Sequence, residues 1–328
     1  MAMQLNRRRA CATAVALGAA LASGPARAQA AYPSRPVRII VPFAPGGGTD
    51  FAARAFSAKL AERLGQPVVV ENKPGAASTL GTVQAVRAPA DGYTLLAISG
   101  SYVVNPSLYK LSFDPINDVA PIIQLTESGY VLAVHPSVPA RNLGELIELM
   151  RRRPGELNYA SSGQGGHLQV VTEYLLELAK ATARHIPYRG TGPAVLDLLA
   201  GRVEMMFGGT EALMQHVAAG RLRAIAVGTP RRLAAFPDLP TVAESGLPGY
   251  EVVAWHGMLA PRDTPPEIVA LLNRHLHDIA RDKSLNEKIR PQGVDGAGGT
   301  PEQFKALLKL EIERYAKVIR DPDIKAGE

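Results

Sequence analysis

Two glycine-rich runs carry the residues of this chain best placed to do chemistry: Gly46-Gly47-Gly48-Thr49-Asp50 and Ser161-Ser162-Gly163-Gln164-Gly165-Gly166-His167. Each stands between an apolar, strand-like segment and an amphipathic, helix-like one. A helix that starts there presents unpaired N–H groups and the positive end of its dipole, so it holds an anion without Lys or Arg. Glycine lets a ligand approach the backbone closely. Such residues also make ordinary helix starts, with Thr49 or Asp50 as N-cap and the glycines as turn formers. Recurrence in both halves points beyond that, to two anion-holding loops facing one cleft, because open α/β sheets bind ligands beyond the carboxyl ends of their strands.

Catalytic motifs are lacking. The triple-glycine run does not complete G-x-G-x-x-G, because Phe51 stands at the last glycine position. Neither G-x-x-x-x-G-K-[ST], G-x-S-x-G nor H-E-x-x-H is present. His167 beside Ser161 and Ser162 is a pairing that chance supplies cheaply, so it does not establish a nucleophile. His275 and His277 are two apart and fall on different faces of a helix. Trp255 and His256 lie in a segment that reads as a strand crossing the molecule, either as cleft residues or as a packed structural pair. Arg151-Arg152-Arg153 falls at a helix C-terminus, where cations complement the dipole. The reading is a binding protein and not an enzyme, with no cofactor and no metal.

The elements that must position these loops follow from periodicity. Val37 to Phe43 reads as a buried strand running into the first glycine loop. A helix then spans about Asp50 to Leu64, with Phe56, Leu60 and Leu64 on one face and Gly65 as its stop. Strands at Val68–Val70 and Tyr93–Ile98 and a helix near Thr79–Val86 complete the first series. Tyr130–Val134 opens a second, with strands at Leu157–Ala160, His185–Tyr188, Val203–Phe207 and Leu222–Val227 alternating with helices. Alternation of this kind predicts parallel sheets covered by helices. Beyond Gly249 the sequence predicts a strand at Val252–Leu259 and then only helices. Asn142 with Glu145, Thr264 with Glu267, Ser284 with Glu287, and Thr300 with Gln303 mark helix starts, and Thr210 caps another.

The N-terminus reads as an export signal. Arg7, Arg8 and Arg9 precede an apolar run from Ala10 to Ala22, and small-x-small sites end at Ala28 and Ala30. Cys11, the only cysteine, lies inside it, so the chain beyond is thiol-free and suits an oxidising compartment. Residues 1–30 hold four Arg and no acid, so the formal +6 falls to +2 for the remainder, which is no footprint for nucleic acid. About 300 residues exceed one ordinary core, so two domains are expected.

Read in order, the segments YPSRPVRIIVPFAPGGGTD (32–50), LGQPVVVENKPG (64–75), DGYTLL (91–96) and NPSLY (105–109) resemble Bug-type receptors, the solute-binding components of tripartite tricarboxylate transporters. LNYAS (157–161), PYRG (187–190), PTVAESGLPG (240–249) and GTPE (299–302) extend the likeness along the chain. The resemblance implies an α/β, two-lobed periplasmic-binding-protein (Venus flytrap) fold, each lobe a mostly parallel sheet flanked by helices, joined by two crossing strands. It puts 32–129 plus 255–328 in lobe one and 130–254 in lobe two.

The resemblance also implies that two loops act as pincers on a ligand carboxylate, through backbone N–H groups and bridging waters. The residues it assigns are Phe43, Ala44, Gly46, Gly47, Gly48, Thr49 and Asp50 in one loop, and Ser161, Ser162, Gly163, Gly166 and His167 in the other. Ser99, Thr191 and Gly208 line the remainder. Where many relatives carry Asp after the Met-Phe pair, this chain has Gly208-Gly209, and the 163–167 loop is shorter than the commonest form. With no acid in view to replace that Asp, the expected ligand is a non-amino carboxylate or an aromatic acid of the nicotinate kind. The expected role is that of a monomeric periplasmic receptor delivering a small carboxylate to a membrane permease. The alternative is a sensor whose closed form contacts a periplasmic signalling domain; a periplasmic hydrolase is the least supported reading.

Overall fold

The computed structural model describes residues 32–319, and the chain separates into two compact units, Met1–Ser34 and Arg35–Glu328. The expected signal peptide, its cleavage at Ala28 or Ala30, and Cys11 lie outside the described residues.

In the second unit, three parallel strands run in the order β2 (Val68–Asn72), β1 (Val37–Val41), β3 (Thr94–Ser99). The β-branched run Val37-Arg38-Ile39-Ile40-Val41 suits the centre of this triplet, with four of its five residues buried. A second parallel triplet orders β6 (Arg184–Pro187), β5 (Asn158–Ser161) and β7 (Met205–Gly209). Between the triplets the pairing is antiparallel. β9 (Val253–Pro261) lies against β3, and the 16-residue β4 (Val119–Val134) lies against β9. The last five residues of β4, Tyr130–Val134, pass into the second sheet between β7 and β8 (Arg223–Val227). β10 (Val294–Gly298) pairs with the first part of β4. The expected α/β architecture is present, with parallel outer strands and a mixed centre.

Among the described residues ten α-helices follow one another: α1 (Gly48–Leu64), α2 (Thr79–Val86), α3 (Gly100–Leu108), α4 (Leu143–Arg152), α5 (His167–Ala179), α6 (Thr191–Leu199), α7 (Thr210–Ala218), α8 (Pro266–Ala280), α9 (Lys283–Ile289) and α10 (Pro301–Val318). α1 buries Phe56 and Leu60, and stops at Gly65, which is left-handed at φ 65 and returns its N–H to Ala61 O. α4 and α10 open on the predicted caps: Asn142 accepts from the Glu145 N–H, and Thr300 with Gln303 completes a capping box.

Several expectations fail for identifiable reasons. Tyr130–Val134 is the end of β4 and not a strand of its own. Pro121 and the polar stretch through Ser128 hide the rest, and register shifts against β9 near Pro121 accommodate the proline. β10, VDGAG, falls where only helices were expected. Its Gly296 is needed because a Cβ there would meet the Ala280 carbonyl at 2.0 Å. α3 (Gly100–Leu108) was not among the expected helices. Thr264 hydrogen-bonds the Pro261 carbonyl, and α8 starts two residues later behind Pro265. Asp282, not Ser284, caps α9, and Gly209, not Thr210, is the N-cap of α7. Trp255 packs edge-on against Phe304 inside the core, so it is structural.

Candidate functional site

Residues from the first turns of five helices line one small cavity: Gly48 and Thr49 of α1, Ser101 of α3, His167 and Leu168 of α5, Thr191 of α6 and Glu211 of α7. The N-caps of these helices are Gly47, Ser99, Gly166, Gly190 and Gly209, and none makes a side-chain capping bond. The helices that do carry side-chain caps, α4, α9 and α10, contribute nothing to the cavity. Uncapped N–H groups and helix-dipole ends are thus concentrated on one space, which favours an anion. The cavity measures about 30 Å³, room for a water or two. Phe43 and Ser162 also border an adjoining chamber of 420 Å³ walled by Tyr109, Gly163, Tyr188 and Arg189. A larger surface groove of 1020 Å³, between Leu233 and Arg290, contains none of these residues.

Of the residues expected from sequence, Phe43, Gly47, Gly48, Thr49, Ser99, Ser162, His167 and Thr191 line the cavity. The others are placed elsewhere. Asp50 turns its carboxylate back on its own loop, accepting from Gly46 N, Arg54 and Asn72. Burial opposes its ionisation, but those hydrogen bonds prevail and hold it below the ordinary carboxylate range. Gly46 lies on an outer groove, and Ala44 abuts Gly190. Ser161 is consumed in holding its loop: its Oγ bonds Gly163 and the His185 Nε2 at 2.6 Å. Gly166 closes onto the Gly163 carbonyl, and Gly163 faces the adjoining chamber. Gly208 points away, since a Cβ there would meet Leu213, whereas one on Gly209 would meet the Glu211 carboxyl. Successive strand residues face opposite sides, so the expectation was wrong by one position.

The lining that sequence reasoning missed is Ser101, Tyr130, Leu168, Gly209 and Glu211; His256, for which a cleft position was one of two readings, lines the cavity as well. Glu211 overturns the inference that no acid replaces the missing Asp. It is 8% exposed, and its Oε2 is buried without a hydrogen-bond partner. Burial pushes its carboxyl up to about 7, partly offset by its own backbone N–H and the Thr210 hydroxyl. A signal was available in the Thr210-Glu211 pair, an acid in the first turn of a helix that follows two glycines.

Two buried histidines complete the walls. His256 Nδ1 pairs with Thr126 Oγ1 at 2.9 Å, and burial lowers its pKa to about 4. His167 is held at both ring nitrogens, by Tyr130 Oη at 3.0 Å and Tyr315 Oη at 2.5 Å, and its N–H donates to Ser101 Oγ. Burial, with Arg314 nearby, lowers its pKa to about 3. Both rings are therefore neutral, and no Lys or Arg lines the cavity.

A sheet continued through one long strand, with a cavity ringed by helix starts, is an arrangement suited to a solute-binding protein of the periplasmic type. The sequence profile of the tripartite tricarboxylate transporter family receptor (TctC) matches residues 52–324, and the chain belongs to that family. Protein BugT of Bordetella pertussis is 37% identical over 90% of this chain and 91% of its own. The periplasmic binding protein BugD superposes with a TM-score of 0.87 at 34% identity, covering 90% of this chain and all of BugD. Two Rhodopseudomonas palustris structures superpose with TM-scores of 0.85 over 88% of this chain. One, with adipate, is 34% identical and covered over 97% of its length; the other, MatC with bound malate, is 32% identical and fully covered. These relatives are solute-binding proteins, and the chain is one of them and not an enzyme.

Proposed function

We propose that this protein is a periplasmic receptor that closes on a small carboxylate and hands it, as a monomer, to a tripartite-transporter permease. One observation carries the reading: five helix N-termini without side-chain N-caps surround one cavity whose lining has no Lys or Arg. The adipate and malate in structures of its relatives support the ligand class. Residues 1–30 act as the export signal, cut near Ala28 or Ala30. Residues 32–129 with 255–328 form one lobe and 130–254 the other, hinged where β4 and β9 cross. The Gly47–Thr49 and Ser162–His167 loops bind the carboxylate, with Phe43, Ser99 and Thr191 around it. A space of about 30 Å³ admits a four-carbon acid only when the loops part, so capture requires opening and closure about that hinge.

The test is a thermal-shift screen of refolded protein against mono-, di- and tricarboxylates, pyridine carboxylates and acidic amino acids. A ligand at a hundred times its Kd stabilises by about 2.7 kcal/mol. The expected result is a rise in Tm with a carboxylate that disappears in Gly47→Trp, whose new side chain must displace Thr191. A flat response to every carboxylate would sink the reading.

A further inference from the structure

Glu211 is the one acidic side chain on the cavity wall, and its position conflicts with an anionic ligand. A Cβ built on Gly48 would lie 2.2 Å from Glu211 Oε1 and 2.7 Å from His256 Nε2. The carboxyl, the imidazole and the first residue of α1 therefore meet at one point, where an anion held by the α1 N-terminus would sit. Two carboxylates in one water-poor cavity cannot both remain ionised unless a cation joins them.

No such cation is present on the cavity side. The groups facing Glu211 there are His256 of β9, Tyr130 of β4 and His167 of α5. Both imidazoles are neutral, and burial raises the phenol far above its ordinary range. On its other side Glu211 borders an outer groove with Asp50, Arg54, Lys59 and Glu62 of α1 and Lys288 of α9. Arg54 is tied to Asp50, and Lys59 to Asp282. That groove connects the buried carboxyl to solvent, which can supply a proton.

We propose that Glu211 is a ligand-binding residue that works in its neutral form: its O–H donates to the captured carboxylate, so that one proton from solvent enters the site with the ligand anion. This rests on the carboxylate reading above and gives it a chemistry. Glu211 Oε2 gains the proton, water or buffer loses it, and no bond of the ligand changes. The free carboxyl already sits near neutrality, so a nearby negative charge is enough to complete its protonation. The site then selects carboxylates without an ammonium group and holds them more tightly as the pH falls.

Isothermal titration of the exported protein with malate and with adipate at pH 6, 7 and 8, each in two buffers that hold that pH and differ in ionisation enthalpy, counts the protons bound. The expected uptake at pH 8 approaches about one proton per ligand and shrinks at pH 6, while affinity weakens towards tenfold per pH unit above neutrality. In Glu211→Gln the uptake disappears and the pH profile flattens. Infrared difference spectra of the wild type, bound minus free at pH 8, gain a protonated-carboxyl band; this arm stands even if the variant fails to fold. Binding heat without proton uptake overturns the proposal alone, as does uptake that survives in Glu211→Gln. Tighter, uptake-free binding of aspartate or glutamate also overturns it, assigning an ionised Glu211 to an ammonium group. No heat from malate or adipate at any pH, together with a flat carboxylate screen, removes the carboxylate reading and this proposal with it.

Discussion

Replacing Glu211 by Gln tests the electrostatics of the cavity even without a ligand. In the folded protein burial holds the carboxyl at about 7, against an ordinary value of 4.5. Between those values the folded state binds more protons than the unfolded one, so stability falls as pH rises. The contribution is fully present below about pH 4.5 and lost once pH passes about 7. The gap converts to roughly 3 kcal/mol, an order-of-magnitude figure for a side chain this buried. Gln keeps the shape of the neutral acid and cannot ionise. At pH 5 the two proteins are expected to differ by a small constant set by the new amide. By pH 8 the variant gains roughly 3 kcal/mol relative to wild type, or roughly 6 °C in Tm at about 2 °C per kcal/mol for a chain of this size. The buried histidines His167, His185 and His256 titrate with the opposite sign, losing stability on acidification; they are common to both proteins, and with pKa values pushed down to about 4 or below they stay neutral in the folded state across pH 5 to 8. Thermal melts of both proteins from pH 5 to 8 decide it. A difference that stays flat across this range would refute the idea that Glu211 ionises in a buried state with no cation beside it.

Gly48→Val puts its Cβ within 2.2 Å of Glu211 Oε1 and 2.7 Å of His256 Nε2; it is expected to keep the far-UV circular dichroism spectrum but lose any carboxylate-induced rise in Tm. Gly100→Ala drives a methyl to 2.0 Å from His167 Nδ1. Over-packing and the loss of the Tyr130 and Tyr315 hydrogen bonds together cost about 2–5 kcal/mol, readable by urea denaturation. Thr300→Ala removes the capping box of α10, and about 1 kcal/mol with it, while leaving ligand-induced shifts unchanged.

What the sequence alone determined is local. The Val37–Val41 run, the Gly65 stop, the Asn142 and Thr300 caps and the two glycine loops all act within a few residues, so periodicity and turn chemistry expose them. These signals sufficed to read the βα alternation and to bring eight of the expected residues to one cavity. Tertiary structure decided what depends on partners far along the chain. β10 is a strand only because β4 is there to pair with, and the first part of β4 is held by β9, more than a hundred residues later. Whether Gly208 or Gly209 faces the cavity turns on a single step of strand alternation set by pairing with β4. Glu211 and His256 look, in sequence, like a surface acid in a first helical turn and a strand histidine. Only packing α7 against α1 and β9 against β3 brings them to Gly48, buries them, and removes the solvent and partners that would have made them ordinary.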